Sequence, residues 1–471
     1  MTNKKNSLKK TLTLLAISLS SFCAFHANAD YNQAQQQLAN GDYEQSFPQL
    51  LQLAKLGNSR AQLALAQSYA SGYGTEQDFT QAYVWSLMAM DNHHPDAKAH
   101  YLQVRRQTPS KRQAKSLYQS LSDRYGVEAL DNNLYPQANS IYRNLIKPAM
   151  EKYTPQPEYP DVLTQGETAA WAVVEFNVNP SGVTDNVHIV ASYPEETIDK
   201  YVLSAVAQWQ FELQYDDHNK PLSYPSQRRL FQLSATSEEA KAHFERQNSA
   251  YLAQLQQRAL TGSGAHQYLV SALMDLELVS TQNNTKTDTP LGWLTKAAIN
   301  GYGKAQYELF QCLSAGGGCL TDENKAVQWL KMASEQGNKN AMFFLVNAYL
   351  NPDGNLVDYS PTAAMSLLQQ LVKTNYLPAL TLYSQLLASS EQGGIRDPQK
   401  AIKYAHQAMA LDNNNPDLLA TLGIAYFELG RVDKGQEFLL QAIHEADLRR
   451  WTIDYYVDVL EDYQLALLQV K

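Results

Sequence analysis

Alanines, large apolar residues and glycines recur along this chain at a spacing near 36 residues, and that period decides most of what the chain can fold into. Ala61, Leu65, Tyr69, Gly72, Gly74, Asp78, Ala82, Trp85 and Ala89 lead to Ala97, 36 positions after Ala61. Ala305, Leu309, Asp322, Ala326, Trp329, Ala333 and Gly337 lead in the same way to Ala341. A looser unit runs from Ala341 through Leu345, Tyr349, Gly354 and Ala364 to Ala379. A period of this length marks a supersecondary unit that cannot bury its apolar face alone and stacks on its neighbours. Each unit reads as two antiparallel helices: alanine lets them approach, Leu, Tyr and Trp fill the space between them, and glycine turns the chain. Gly423, Tyr426, Gly435, Leu439 and Ala442 follow a related spacing, and Asn40-Gly41-Asp42-Tyr43 has the form of an inter-helix turn. Residues 265–305 read as a longer unit with 281–290 as a polar insertion, and 96–134 as helical without a clean repeat.

Residues 156–233 break this pattern. In 171–178, Ala172, Val174, Phe176 and Val178 fall on one face, the period of a strand. Asn179-Pro180-Ser181-Gly182 is a hairpin turn, because proline fixes φ and glycine accepts a positive one. Val183, Val187 and Ile189 mark the inward face of the return strand, with Asp185 as an exception. Pro194-Glu195-Glu196 is expected to start a helix, whose apolar stripe is Ile198, Val202, Ala205, Val206 and Trp209. Residues 210–215 and 228–233 are two further extended segments. The sum is a small α+β unit, a three-stranded antiparallel sheet with a helix on one face.

This segment resembles the C-terminal domain of TonB, a family that couples inner-membrane energy to outer-membrane transporters. The 36-residue units resemble the Sel-one-like repeat, and residues 423–442 the tetratricopeptide repeat. In the TonB family a QP-x-YP segment lies next to an extended transporter peptide that pairs with an exposed sheet edge, so that backbone hydrogen bonds give affinity and side-chain pockets selectivity. The matching residues are Gln156, Pro157, Tyr159 and Pro160; the family's tryptophan at the end of the helix matches Trp209; its last strand matches Arg228, Arg229, Leu230, Phe231, Gln232 and Leu233. These are the candidate partner-peptide residues. Three departures separate the chain from an anchored energy transducer. The domain is internal, with residues 237–471 after it; no long proline-rich spacer occurs; and the N-terminus reads as a cleaved signal. A partner peptide carrying basic residues would be favoured, since residues 155–235 hold four basic against eleven acidic side chains.

Lys4, Lys5, Lys9 and Lys10 precede an apolar run and Ala27-Asn28-Ala29, which predicts a secretory signal cleaved after Ala29. The run is shorter than the ~20 residues that span a bilayer; an uncleaved inner-membrane anchor is the lesser alternative. Losing four lysines takes the formal charge from −9 to −13, which argues against binding nucleic acid or anionic lipid. With one cysteine lost in the signal, Cys312 and Cys319 remain around a glycine-rich turn. In an oxidising compartment they are expected to form a disulfide, two unpaired buried thiols being the alternative. No phosphate loop, nucleophile elbow, zinc-protease motif or dinucleotide fingerprint occurs. His93, His94, Asp91, Asp96 and His100 read as a polar loop rather than a metal site. Neither metal nor cofactor is expected, and the chain is read as a non-enzyme.

The expected architecture is therefore multidomain: a signal peptide at 1–29, a helical repeat block at 30–134, a TonB-like domain with a lead-in helix at 135–236, and a second repeat block at 237–471. The expected role is a periplasmic interaction protein, accessory to TonB-dependent outer-membrane transport, whose partner is such a transporter or another envelope protein. The alternative is a periplasmic scaffold for envelope complexes, with no part in energy transduction.

Overall fold

Short polar residues and glycines set the helix boundaries in the repeats. Asp30, Asn58, Asp78, Asp322 and Asn338 each precede a helix and accept a hydrogen bond from a backbone N–H of its first turn. The structure, a computed structural model, describes residues 30–139, 149–179, 182–213, 224–279, 288–389, 395–449, 451 and 453–469. The expected signal at 1–29 lies outside the described residues, as do Pro180 and Ser181 of the hairpin turn and most of the 281–290 insertion.

The first helices are α1 (Tyr31–Asn40), α2 (Tyr43–Lys55), α3 (Ser59–Ser71), α4 (Phe79–Asp91), α5 (Ala97–Val104), α6 (Lys111–Tyr125) and α7 (Val127–Asn133). The expected turn between α1 and α2 is there, with Gly41 left-handed at φ 86°. The unit from Ala61 to Ala97 is the pair α3 and α4. After the central segment come α10 (Glu238–Leu260), α11 (Gly264–Asp275), α12 (Pro290–Ile299), α13 (Gly303–Ala315), α14 (Glu323–Glu335), α15 (Lys339–Leu350), α16 (Pro361–Val372), α17 (Leu377–Ser389), α18 (Pro398–Met409), α19 (Pro416–Glu428), α20 (Val432–Leu448) and α21 (Asp454–Gln469). They pack as successive antiparallel pairs, so the fold is mostly helical and solenoid-like with a small sheet in its middle.

One device recurs at the turns. Gln62, Gln267 and Gln306 each donate Nε2–H to the carbonyl of an alanine eight residues earlier (Ala54, Ala259 and Ala298) at 3.0, 3.1 and 3.0 Å. Between each pair stands a glycine at positive φ: Gly57 (84°), Gly262 (95°) and Gly301 (87°). Each of these carbonyls also accepts the N–H of that glycine, at 3.1, 3.1 and 3.0 Å, so the buried glutamine adds a second bond to a helix-end carbonyl and pins the turn to the next helix.

The middle holds β1 (Glu151–Tyr153), α8 (Asp161–Thr164), β2 (Ala170–Val178), β3 (Thr184–Tyr193), α9 (Asp199–Val206), β4 (Gln210–Phe211) and β5 (Tyr224–Leu233). The main sheet is antiparallel, in the order β3-β2-β5. Three details differ from expectation. The helix starts at Asp199 rather than at Pro194, because Glu196 takes a left-handed φ of 61° and cannot join it. The segment beginning at Gln210 pairs with β1 in a separate two-stranded ladder. The lead-in, expected helical, is extended at β1 where it is described; residues 140–148 lie outside the described ones.

The sheet is buried on both faces. Ala170, Ala172, Val174, Phe176 and Phe231 pack on α9 and Trp209. Trp171, Val173 and Ala191 face the other way, onto Leu255, Ala259, Val270 and Leu273 of α10 and α11. Each large apolar side chain so buried contributes about 1.5–3 kcal/mol. Trp171 Nε1 also donates to Asn248 Oδ1 of α10 at 2.8 Å.

The first helices touch the later repeats directly. Leu56, Leu130 and Leu134 share one core with Leu294, Leu309, Trp329 and Leu330. Asn58 Nδ2 donates to Asn300 Oδ1 at 2.8 Å, and Asn300 Nδ2 to Gln267 Oε1 at 2.7 Å. Trp329 Nε1 donates to the Leu134 carbonyl at 2.9 Å.

Candidate functional site

β2 and β5 pair without interruption from Ala170↔Leu233 to Phe176↔Gln227. The irregularity in this ladder comes only beyond Phe176, near Ser226, whose φ is 55°. The β2–β3 ladder, by contrast, shifts register twice. Among the described residues β5 is an end strand of the sheet, so from Arg228 onward its outer edge has alternating backbone donors and acceptors in an even register. Beside it is a cleft of about 370 Å³, lined by residues 227–230 and by Ala149, Phe176, Phe211 and Leu276. The start of β5 is flanked by the lead-in: Ala149 N–H donates to Gln227 Oε1 at 3.0 Å, and Arg229 pairs with Glu151.

Trp209 joins the two halves of the expected site. Its indole Nε1 donates to the Pro155 carbonyl at 2.9 Å, which places Gln156, Pro157, Tyr159 and Pro160 next to it in the chain. Its ring lies 5.7 Å from Phe231 and 5.6 Å from the Arg229 guanidinium. Tyr159 is half-buried, its ring edge-on to Tyr201 at 5.9 Å, and burial raises its phenol pKa. Gln156, Arg229 and Gln232 are exposed, while Phe231 is buried under Trp209. Leu230 and Leu233 are partly buried, on opposite faces of the strand.

Arg228 points inward, its side chain only 5% exposed. Its Nε donates to Glu175 Oε2 at 3.2 Å and its Nη1 to Glu308 Oε1 at 3.1 Å, while Nη2 donates to Tyr268 and to the second Glu308 oxygen. Tyr268 in turn donates to Glu175 Oε2 at 2.9 Å. Lys304 and His188 approach Glu175 Oε1 from the rim at 3.9 and 3.7 Å. Burial alone would raise the Glu175 carboxyl pKa; the charges of Arg228, Lys304 and His188 and the Tyr268 hydrogen bond outweigh it and hold the pKa below its usual value. Burial would lower the Arg228 pKa, but Glu308, Tyr268 and Glu175 hold it well above its usual value. This cluster ties β2 and β5 to α11 and α13. Only an interrupted apolar run, with Glu175 among buried neighbours, could have hinted at it in the sequence.

Cys312 and Cys319 are joined by a disulfide, with Cα atoms 5.8 Å apart. It closes the loop on which the end of the first helical block rests: Asn139 N–H donates to the Gly318 carbonyl at 2.9 Å and Leu320 N–H to the Gln137 carbonyl at 2.8 Å. The polar loop after α4 spends its groups locally. His100 Nδ1 meets Ser86 Oγ at 2.8 Å, His94 Nδ1 accepts from the Asp96 N–H at 3.2 Å, and Tyr118 donates to Asp91 Oδ2 at 2.6 Å. Among the described residues, no group of three metal-ligating side chains converges, and no helix is long and apolar enough to cross a membrane.

Residues 155–231 match the family described as the Gram-negative bacterial TonB protein C-terminal. Residues 59–94 and 303–338 match the Sel1 repeat, and 396–451 a tetratricopeptide repeat. A TonB C-terminal match thus stands between repeat matches. It takes in the 156–160 segment, Trp209 and β5 as far as Phe231. No curated protein matches the chain. Among solved structures, a protective antigen of uropathogenic Escherichia coli displaying an SLR fold is 14% identical, with a TM-score of 0.33 over 88% of this chain and 69% of that one. A Sel1 repeat protein from Oxalobacter formigenes is 17% identical, with a TM-score of 0.34 over 44% and 85%.

Proposed function

We propose that this chain is a periplasmic, non-catalytic interaction protein of Gram-negative bacteria that takes an extended partner peptide as an added strand on the outer edge of β5. The observation that carries the reading is the even register of β5 from 227 to 233, at an end of the sheet among the described residues and beside the 370 Å³ cleft, in a strand that a TonB C-terminal match covers as far as Phe231. The repeats support it in two ways: they pack on the face of the sheet rather than forming a further strand, and repeats of this kind offer protein-binding surfaces. Backbone pairing would supply affinity, and the exposed Gln156, Arg229 and Gln232 would meet the partner's side chains. Arg228 would take part through its backbone alone, since its side chain is committed to Glu175 and Glu308.

The partner proposed is an outer-membrane TonB-dependent transporter, and the role accessory to transport. A periplasmic scaffold that uses only its repeats is the competing reading. Photocrosslinking in cells separates them, with benzoylphenylalanine placed at Gln232 on the edge or at the exposed Leu440 of α20. A transporter adduct from 232 and none from 440 supports strand docking. Adducts confined to 440, or no transporter adduct from 232, would transfer the function to the repeats.

A further inference from the structure

A second cleft lies on the far side of the sheet, along β3. Residues 189–192 form one wall, and Tyr251, Leu255 and Arg258 of α10, with His266 of α11, form the other, around a space of about 400 Å³. Small-ligand sites span about 300–1,000 Å³. β3 is bulged here: Ala191 pairs with Val173 and Ile189 with Val174, so Val190 has no partner. A bulge breaks the edge for continuous pairing, which suits a short ligand better than a long added strand.

The cleft has two poles. Asp199, in the first turn of α9, is the acidic one, with Glu195 and Glu196 before it. Asp199 Oδ2 accepts from Ser192 Oγ at 2.9 Å, while Oδ1 is buried with no hydrogen-bond partner. A buried carboxylate oxygen is costly to leave without a donor. The basic pole is Arg258. His266 beside it receives a contact from Ser263 Oγ at 2.7 Å, and burial, then the Arg258 charge, lower its pKa, so it is a neutral hydrogen-bonding group near pH 7. Tyr251 feels both poles: burial raises its phenol pKa, Glu195 adds to the rise and Arg258 opposes it. Leu255 and Leu269 supply apolar wall between them.

We propose that this cleft binds a short zwitterionic peptide, with its free ammonium received at the acidic pole of Glu195, Glu196 and Asp199 and its free carboxylate held by the Arg258 guanidinium. Both contacts are charge-assisted, and a guanidinium can hold a carboxylate through two parallel bonds. The site is separate from β5 and does not depend on strand docking there.

Calorimetric titration of the full chain tests this with trialanine, N-acetyl-trialanine and trialanine amide. Trialanine is expected to bind, and each blocked form to bind at least about tenfold more weakly. Arg258→Gln, at an exposed position, should erase the preference over the amide and keep the preference over the acetylated form; Asp199→Asn should do the reverse. Circular dichroism checks the fold of both, and the comparison of the three peptides needs no variant at all. Absence of trialanine binding, equal affinity for the three peptides, or unchanged selectivity in folded Arg258→Gln would overturn the proposal. A chain that failed to crosslink from position 232 would leave all of these outcomes unchanged.

Discussion

Arg228 illustrates how one side chain can decide where a whole sheet sits. It lies on β5, yet its partners are Glu175 on β2, Tyr268 on α11 and Glu308 on α13, the last 1% exposed. Buried ion pairs gain little over apolar replacements, but losing one member leaves the rest uncompensated. Arg228→Ala is therefore expected to destabilise the sheet-bearing part of the chain by about 3–5 kcal/mol, read by denaturant unfolding followed through tryptophan fluorescence. A triple replacement of Arg228, Glu175 and Glu308 by apolar residues should cost less than this single change, because it removes the buried charges together. The same cluster sets a pH dependence. The Glu175 pKa is lower in the fold than its ordinary value of 4.5, so its contribution is complete above that value and is lost as pH falls through the folded pKa. The melting temperature should hold from neutral pH to about 4.5 and fall below it, and Glu175→Gln should flatten that fall while lowering the plateau.

Among the elements, the helix pairs were the most legible in sequence, because alanine and glycine recur where two helices cross closely. Gly423 is the clearest case. An added Cβ would meet Leu439 Cγ at 2.7 Å and the Gly435 carbonyl at 3.0 Å, and Gly435 is equally pressed by Phe427. Alanine would gain about 1 kcal/mol of helix propensity, yet a backbone carbonyl on the facing helix cannot give way as a side chain can. Gly423→Ala is expected to destabilise the α19–α20 pair by about 1–3 kcal/mol net, seen as faster hydrogen exchange in both helices. Unchanged or slower exchange would mean that the helices part without cost. The strands of the central unit were also readable from their alternation. What escaped was the second buried face: Trp171, Val173 and Glu175 alternate with the expected inward residues, and the helices covering them lie some eighty residues later in the chain. The short β1 has too few residues for a period, and the start of α9 was misread because nothing in Pro194-Glu195-Glu196 announces the left-handed turn at Glu196. For the candidate site, the sequence offered the residues of the edge but not the inward turn of Arg228, whose partners are non-local.

Across the whole molecule, the central sheet interrupts the sequence of the repeats without separating them in space. Asn58 and Asn300 sit just after α2 and α12, at equivalent turns of two repeats, and bond to each other. Trp329 reaches back to the Leu134 carbonyl, and Lys325 to the carbonyls of Asp131 and Tyr135 at 3.0 and 2.8 Å. An apolar core runs through the same contact. The connection between the blocks should therefore be held by this interface as well as by the covalent chain. Residues 30–139 and 149–471, produced as two polypeptides in one cell, are expected to co-purify and to elute together in size exclusion. Asn300→Ala strips Asn58 and Gln267 of a buried partner, a loss of about 1–3 kcal/mol. It should weaken the association roughly tenfold or more in a binding titration of the two pieces. If the fragments separate even with Asn300 intact, the chain linkage alone keeps the blocks together, and a partner drawn to the β5 edge would then pull on a sheet held mainly by α10, α11 and the Arg228 cluster.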